Sequence, residues 1–387
     1  MQTPTWALWP WPFFDANHQA LAERVVAWNA DSHGTAYASF HDECKGMVRS
    51  LGAAGLLDFV VPQGDAPFDV RSVCLIREGL TYQHALADAM FAMQGIGTLA
   101  IRRFGTPAQR AQYLEPCRKG ERIAAFALTE PETGSDVASM TTEAHRDGGH
   151  YVLNGAKTLI SNAGIADHYL VVARTGEAAG SRGLSMFILD AGTPGLEISE
   201  PIEFIAPHPG ASMAFNNCRV PAANLVGEAG QGFKAAMAAF DIFRPSVGAA
   251  AVGLARRALA ETLRHTGRRQ LFGKPMTALD GVQMALAEMA TDIEGAALLV
   301  YRAAWSYDVR GERGAYEACM AKLAGSEAAG RVVDRAVQLL GGQGVTRGNI
   351  IEQLYREARP MRIYEGASEI QKLVIARGLI KDGGFYA

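Results

Sequence analysis

Apolar residues recur at helical spacing over the first third of the chain. Leu21, Val25 and Trp28 share one face of a stretch from His18 to Trp28. Met47, Val48, Leu51, Leu56 and Leu57 do the same between His41 and Phe59. The run Pro62-Gln-Gly-Asp-Ala-Pro67 breaks the pattern. Helices are then predicted over Val70–Tyr82 and Leu86–Phe104, and Pro107 opens a short one at its first turn. No strand-like alternation appears before about residue 120.

The pattern changes near Arg122. Short β-rich runs at Ile123–Leu128, Tyr151–Leu153, Tyr169–Ala173, Leu184–Leu189 and Met213–Val220 alternate with turn residues. Asp147-Gly148-Gly149 and Asn154-Gly155 read as hairpin turns. From Gly232 helical periodicity returns in longer form. Val282, Leu286, Met289, Ile293, Ala297, Val300 and Ala304 keep one apolar face for about 30 residues, roughly 45 Å of helix. Leu323, Val332, Val333, Val337 and Leu340 repeat it over Ala321–Leu340. The expected architecture is α+β and multidomain. A helical domain spans 1–121, a central antiparallel β-sandwich or barrel 122–229, and a C-terminal helical bundle 230–387.

A length of 387 residues suits two or three domains, and 49% hydrophobic content is ordinary for a globular chain. The net charge of −3 gives no global reason to expect nucleic acid or a membrane surface. The charge is uneven: residues 1–239 hold 17 Lys and Arg against 24 Asp and Glu, and residues 240–387 hold 20 against 16. A basic C-terminal part can attract phosphate-bearing ligands, though solvated helix faces explain it as well. The five cysteines, Cys44, Cys74, Cys117, Cys218 and Cys319, lie far apart in sequence, which suits free thiols in a reducing, cytoplasmic setting. The nine histidines form no ligand-type spacing, so no metal is expected. The stretch from Met1 to Phe14 carries Trp6, Trp9, Trp11, Phe13 and Phe14 without a basic start, and reads as an arm packed on the body. No run reaches the ~18 apolar residues of a membrane-spanning helix.

Six stretches carry candidate chemistry. Phe126-Ala-Leu-Thr-Glu-Pro-Glu-Thr-Gly-Ser-Asp136 follows a strand, and its irregular loop offers hydroxyls and free amides suited to a ring carbonyl or nitrogen. Leu153-Asn-Gly-Ala-Lys-Thr-Leu-Ile-Ser-Asn162 sets Leu159 and Ser161 on one side of a strand. Phe240-Asp-Ile-Phe-Arg-Pro245 places Asp241 and Arg244 three apart near a helix, as an ordinary ion pair or a grip on a polar ligand. Arg268-Arg-Gln-Leu-Phe-Gly-Lys-Pro275 is a basic loop, and Arg suits phosphate. Gln338-Leu-Leu-Gly-Gly-Gln-Gly344 ends a helix, where glycine is common. Met361-Arg-Ile-Tyr-Glu-Gly-Ala-Ser-Glu-Ile-Gln371 sets Glu365 between Tyr364 and Gly366 before a helix start. On its own it reads as a capped surface helix.

In this order, the motifs TEPxxGSD, NGxKxxISN, FxxRP, RxxFGKP, QxLGGxG and IYEGxSEIQ resemble those of the acyl-CoA dehydrogenase family, from about Phe14 to Ile380. The resemblance implies FAD as cofactor, an acyl-CoA substrate, an electron-transfer flavoprotein as electron acceptor, and a homo-oligomer, usually a tetramer, with a dimer as the lesser alternative. It implies flavin contacts from Phe126, Leu128, Thr129, Gly134 and Ser135, from Leu159 and Ser161, and from Ala367 and Glu369. Arg269, Phe272, Gln338, Gly341 and Gly342 would serve the FAD of a neighbouring subunit. Ser135, Asp241, Arg244, Tyr364 and Gly366 would meet the substrate. Glu365 would be the catalytic base that removes the Cα proton. Some branched-chain members carry the base at the position of Phe243, which cannot act as one.

Two departures stand out. The family usually has Trp or Phe where this chain has Leu159, and Gly-Thr-Ser where it has Gly366-Ala367-Ser368. They leave room for a same-fold oxidase or monooxygenase acting on an acyl thioester. A DNA-binding relative is the remote alternative, but the basic charge is too dilute for it. Met90, Phe91, Met93, Gln94, Ile96 and Leu99 are candidates for the floor of the acyl pocket, with at least half expected to be plain core.

Overall fold

The computed structural model describes residues 11–31, 37–311 and 314–382. In chain order the helices are α1 (Ala16–Asp31), α2 (Phe40–Ala53), α3 (Val70–Gln83), α4 (Ala85–Phe104) and α5 (Pro107–Arg118). After the strands come α6 (Gly232–Arg268), α7 (Asp280–Arg310), α8 (Ala315–Leu340), α9 (Ile350–Ala358) and α10 (Ser368–Asp382). The starts of the early helices follow from their caps. Ser39, Asp69 and Thr106 each accept from a backbone N–H of the first turn, and Thr106 forms a reciprocal capping box with Gln109 ahead of Pro107.

The strands are β1 (Ala124–Ala127), β2 (Glu143–Asp147), β3 (His150–Ser161), β4 (His168–Arg174), β5 (Leu184–Asp190), β6 (Leu196–Ile198) and β7 (Gly210–Pro221). A small hairpin, β8 (Gln270–Leu271) and β9 (Lys274–Pro275), lies further on. The main sheet runs β1-β4-β2-β3-β7-β6, with β5 paired to β4. It is mainly antiparallel, but β1 runs parallel to β4 and β2 joins β4 by a parallel bridge at Glu143 and Arg174.

The described residues group into two compact units. One holds residues 11–31, 69–88, 241–311 and 314–382, and the other 37–68 and 89–240. In the helical unit, Ala251, Leu254, Met289, Ile293, Ala329 and Val333 from α6, α7 and α8 form a continuous core. Small residues let these helices approach closely. A Cβ on Gly325 would lie 2.6 Å from the Gly248 backbone. Trp11 and Phe14 meet Tyr301 edge-on at centroid distances of 6.0 and 4.7 Å, so this part of the aromatic arm packs on α7. Trp6 and Trp9 lie outside the described residues.

In the β unit, Leu170, Val172, Leu184, Met186 and Ile188 of β4 and β5 pack with Ile101 and Tyr113. Most of the residues proposed for a pocket floor are interior ones. Met90, Phe91, Ile96 and Leu99 are buried, and Gln94 is spent on structure: its side chain donates to the Cys117 and Arg122 carbonyls and accepts from the Ala124 amide.

Four local expectations need correction. Asn154-Gly155 is no turn but a bulge inside β3, where the register with β7 shifts. Gly155 sits at φ 139, and a Cβ there would come within 2.7 Å of Thr142. The run Phe240–Pro245 lies inside the 37-residue α6, which carries Pro245 within the helix. The basic Arg268–Pro275 loop is the β8–β9 hairpin. Finally, α6 is long and apolar enough to cross a membrane, but most of its apolar stretch is buried within the protein. The five cysteines are free and buried. Among the described residues, no group of three or more His, Cys, Asp and Glu could hold a metal ion.

Candidate active site

Glu365 occupies a strained turn. A short 3-10 helix, Arg359–Arg362, leads into it, and α10 leaves it at Ser368. Glu365 has φ 51 and Gly366 φ 93, so two successive residues are left-handed. For a residue with a side chain this conformation costs roughly 1–2 kcal/mol, and it turns up where the surroundings over-determine the backbone. Two side chains do so here. Lys322 Nζ donates to the Gly366 carbonyl at 2.9 Å. Gln371 Nε2 donates to the same carbonyl at 2.8 Å and to the Glu365 carbonyl at 3.3 Å. A Cβ on Gly366 would lie 2.5 Å from Gln371 Nε2, so a side chain there would push aside the amide that holds the turn. Ser368 does not cap α10. Its hydroxyl donates to Glu327 Oε1 at 2.6 Å, and Arg362 binds the same carboxylate.

The Glu365 carboxylate is partly withdrawn from water. Its Oε2 is out of contact with water and has no hydrogen-bond partner among the described residues. That burial pushes its pKa up to about 7. The cations Arg77, Lys322 and Arg244 pull the other way, and Asp88 adds to the rise. Arg77 of α3 is itself buried. Its Nε and Nη2 donate to Asp88 at 2.7 and 2.9 Å, and its Nη1 to Ser246 Oγ at 2.9 Å. Burial works against the Arg77 charge, but the Asp88 pair more than offsets it and raises its pKa. Burial lowers the pKa of Lys322 to about 8, against the pull of Glu365 and Glu327. Arg244 is buried on α6, one turn from the half-buried Asp241, while Tyr364 and Glu369 lie more exposed beside Glu365.

In the β unit the first two motifs are tied together. Phe126 lies on β1, and Leu128 and Thr129 follow it directly. Lys157 Nζ donates to the Leu128 carbonyl at 3.0 Å and to Glu130 Oε1 at 2.9 Å, and the Thr158 amide donates to the Thr129 carbonyl at 2.9 Å. Glu130 also accepts from the Thr141 and Thr142 amides. Leu159 is left-handed at φ 57 and 54% exposed, so its side chain is presented rather than packed. Ser161 Oγ lies 2.7 Å from Nε2 of His208, whose loss of water keeps the ring neutral by lowering its pKa to about 4.

The exposed loop from Pro131 to Asp136 suits a polar, planar ligand. The amides of Gly134 and Ser135 find no acceptor among the described residues. A Cβ at Gly134 would meet only Thr129 Cγ2, at 4.0 Å, so ligand atoms can come close to the backbone.

Arg269 and Phe272 on the β8–β9 hairpin, and Gln338, Gly341 and Gly342 at the end of α8, are all exposed. Among the described residues no hydrogen bond or ion pair ties them to the Glu365 cluster. Sequence reasoning did not assign Lys322, Gln371, Arg77, Asp88, Glu130, Lys157 or His208 a role. The sequence signal for Lys322 was a lone lysine on the small-residue face Ala318–Ala329 of α8. Glu130 and Lys157 stood inside motifs already singled out.

Comparison with known proteins decides the family. Residues 14–121, 125–218 and 230–380 match the N-terminal, middle and C-terminal domains of acyl-CoA dehydrogenases. The chain belongs to the acyl-CoA dehydrogenase family. It is 37% identical over 339 residues to an acyl-CoA dehydrogenase of Bacillus subtilis, covering 86% of this chain and 89% of that one. It is 36% identical over 371 residues to cyclohexane-1-carbonyl-CoA dehydrogenase of Geobacter metallireducens, covering 94% and 95%. The structure of butyryl-CoA dehydrogenase from Megasphaera elsdenii superposes with a TM-score of 0.87 at 31% identity, covering 95% of this chain and 99% of that one. This acyl-CoA dehydrogenase family member is therefore an FAD-dependent oxidoreductase acting on a CH–CH group. The donor set of the Pro131–Asp136 loop fits a flavin.

Proposed function

We propose that the chain dehydrogenates an acyl-CoA thioester to its trans-2-enoyl product, with Glu365 removing the Cα proton. One observation carries this reading: a half-buried carboxylate on a strained turn, with Oε2 out of water and unpartnered among the described residues and its pKa pushed up to about 7. A base of that pKa is about half ionised at neutral pH, and it gains driving force over an ordinary carboxylate. FAD, when bound, supplies the acceptor for the β-hydride.

The chain's own residues bind and orient. Phe126, Leu128, Thr129, Gly134 and Ser135, with Leu159 and Ser161, would hold the flavin ring, the free amides donating to its polar edge. Ala367 and Glu369 would border the cofactor. The Glu365 amide is a donor for the thioester oxygen, where negative charge grows as the Cα proton leaves. Ser135, Asp241, Arg244, Tyr364 and Gly366 would bind the substrate. Arg269, Phe272, Gln338, Gly341 and Gly342, all exposed, would meet the FAD of a second subunit, which calls for a homo-oligomer, a tetramer first. An electron-transfer flavoprotein would take the electrons.

The test is anaerobic titration of the FAD-loaded protein with acyl-CoAs of graded length and branching, followed by flavin bleaching. Wild type is expected to bleach with at least one of them, and Glu365→Gln to keep FAD but not bleach. A Glu365→Gln protein that bleaches at a near-normal rate sinks the assignment. Admission of air separates the alternative chemistry, because rapid oxygen consumption would mark an oxidase.

A further inference from the structure

Lys322 is a buried cation without a carboxylate to pair with. It is fully out of water on α8, and among the described residues no Asp or Glu lies within ion-pair distance of it. A buried ammonium is costly unless its hydrogen-bonding capacity is used. Its acceptor is the carbonyl of Gly366, the residue that follows Glu365. That carbonyl takes a second bond from Gln371, so two donors from α8 and α10 converge on one oxygen of the strained turn. The turn has no ladder of its own to hold two left-handed residues in sequence.

We propose that Lys322 is a positioning residue for Glu365: by binding the Gly366 carbonyl it holds the left-handed turn that aims the carboxylate. This rests on Glu365 being the base. The charge of Lys322 has a second consequence. The charged groups acting on Glu365 are Arg77 from α3, Asp88 from α4, Arg244 from α6 and Lys322 from α8. Of these, Lys322 is also hydrogen-bonded to the turn itself. Loss of its cation removes a pull toward the ionised form, so Glu365 becomes harder to deprotonate.

The experiment uses FAD-loaded Lys322→Met and Lys322→Gln. Flavin reduction by an acyl-CoA is followed anaerobically across the neutral pH range, with FAD content and substrate KM measured alongside. Lys322→Met is expected to keep FAD and KM, to lower the limiting reduction rate at least tenfold, and to move the acidic limb of the profile to higher pH. Lys322→Gln keeps a donor without the charge. It is expected to recover much of the rate while retaining the displaced limb. A wild-type rate and limb in Lys322→Met overturns the proposal, as does a rate loss that only tracks lost FAD. If Lys322→Met does not fold, Lys322→Gln decides, and an unmoved limb overturns the proposal. Normal bleaching by Glu365→Gln would instead sink the base assignment, whatever Lys322 does.

Discussion

Lys157 Nζ lies 2.9 Å from Glu130 Oε1, and both side chains are almost fully buried. The pair links the first motif loop to β3, because Lys157 also holds the Leu128 carbonyl and Glu130 also holds the Thr141 and Thr142 amides. Replacing one partner leaves the other charge buried and alone, at a cost of about 3–5 kcal/mol. Lys157→Met should therefore lower the melting temperature markedly and release FAD below that temperature. Calorimetry and the FAD-to-protein ratio check this, and an unchanged ratio would show that the pair does not set the loop.

The same pair makes an acid-side prediction. Burial works against the Glu130 charge, but the Lys157 contact and the backbone donors outweigh it, holding its pKa at about 2 against an ordinary 4.5. The folded protein then binds fewer protons than the unfolded chain in that interval. Stability from this group is present above about pH 4.5 and is lost as the pH falls toward 2. Glu130→Gln should be less stable than wild type at pH 7, and the gap should narrow on acidification in a series of melts.

Glu365 has the opposite sign. Its folded pKa of about 7 lies above the ordinary 4.5, so the folded protein holds the proton longer than the unfolded chain. Stability is full below about pH 4.5 and falls as the pH rises through 7. At pH 8 the ionised, unpartnered carboxylate costs up to about 3 kcal/mol, at 1.36 kcal/mol per pKa unit. Glu365→Gln should consequently melt several degrees higher than wild type at pH 8 and almost equally at pH 5, while losing turnover. A lower melting point at pH 8 would show that the carboxylate is not strained by burial.

The parts of this picture that were legible in sequence are those set by local period and caps. Val70–Tyr82 came out as Val70–Gln83 because Asp69 caps it, and the α7 face was readable because seven apolar residues keep step over 23 positions. Strand β2 was missed because Glu143-Ala-His-Arg-Asp147 buries only Ala144 and shows no alternation of apolar residues. Asn154-Gly155 looked like a turn because turn chemistry and bulge chemistry both need a left-handed or open backbone. Only the neighbouring Thr142 distinguishes them. Glu365 itself was legible as a candidate base only through the ordered motifs around it. Its pKa is set by loss of water, helped by Asp88 and opposed by Arg77, Lys322 and Arg244, groups from four other helices that cannot be paired with it from one sequence.

Phe272 is at odds with its position. It shares a two-residue hairpin turn with Gly273, both left-handed, with φ values of 50 and 77, and its ring is 91% exposed. Asn-Gly is the preferred pair for such a turn. Phe272→Asn is expected to raise the stability of the isolated subunit slightly, by about 1 kcal/mol if the left-handed strain is relieved. It should also weaken FAD retention if the chain forms the proposed oligomer and the ring meets a neighbour's cofactor. Melting and FAD content after gel filtration read the two effects separately. Unchanged FAD content would remove Phe272 from the proposed cofactor site.

Leu159 is the other left-handed, exposed residue of the motif set, at φ 57 and 54% exposure. Its backbone is fixed from both sides: the Thr158 amide binds Thr129, and Ile160 returns to register with Ala211. A larger side chain therefore has open space to occupy without displacing core. Leu159→Trp should fold with stability within about 0.5 kcal/mol of wild type, as surface substitutions do. If Leu159 lies over the flavin, the broader indole covers more of it, and the substrate-reduced protein should reoxidise more slowly in air than wild type. The measurement is the return of flavin absorbance after mixing the anaerobically reduced protein with aerated buffer. Equal rates in the two proteins would place Leu159 away from the oxygen-accessible edge of the cofactor.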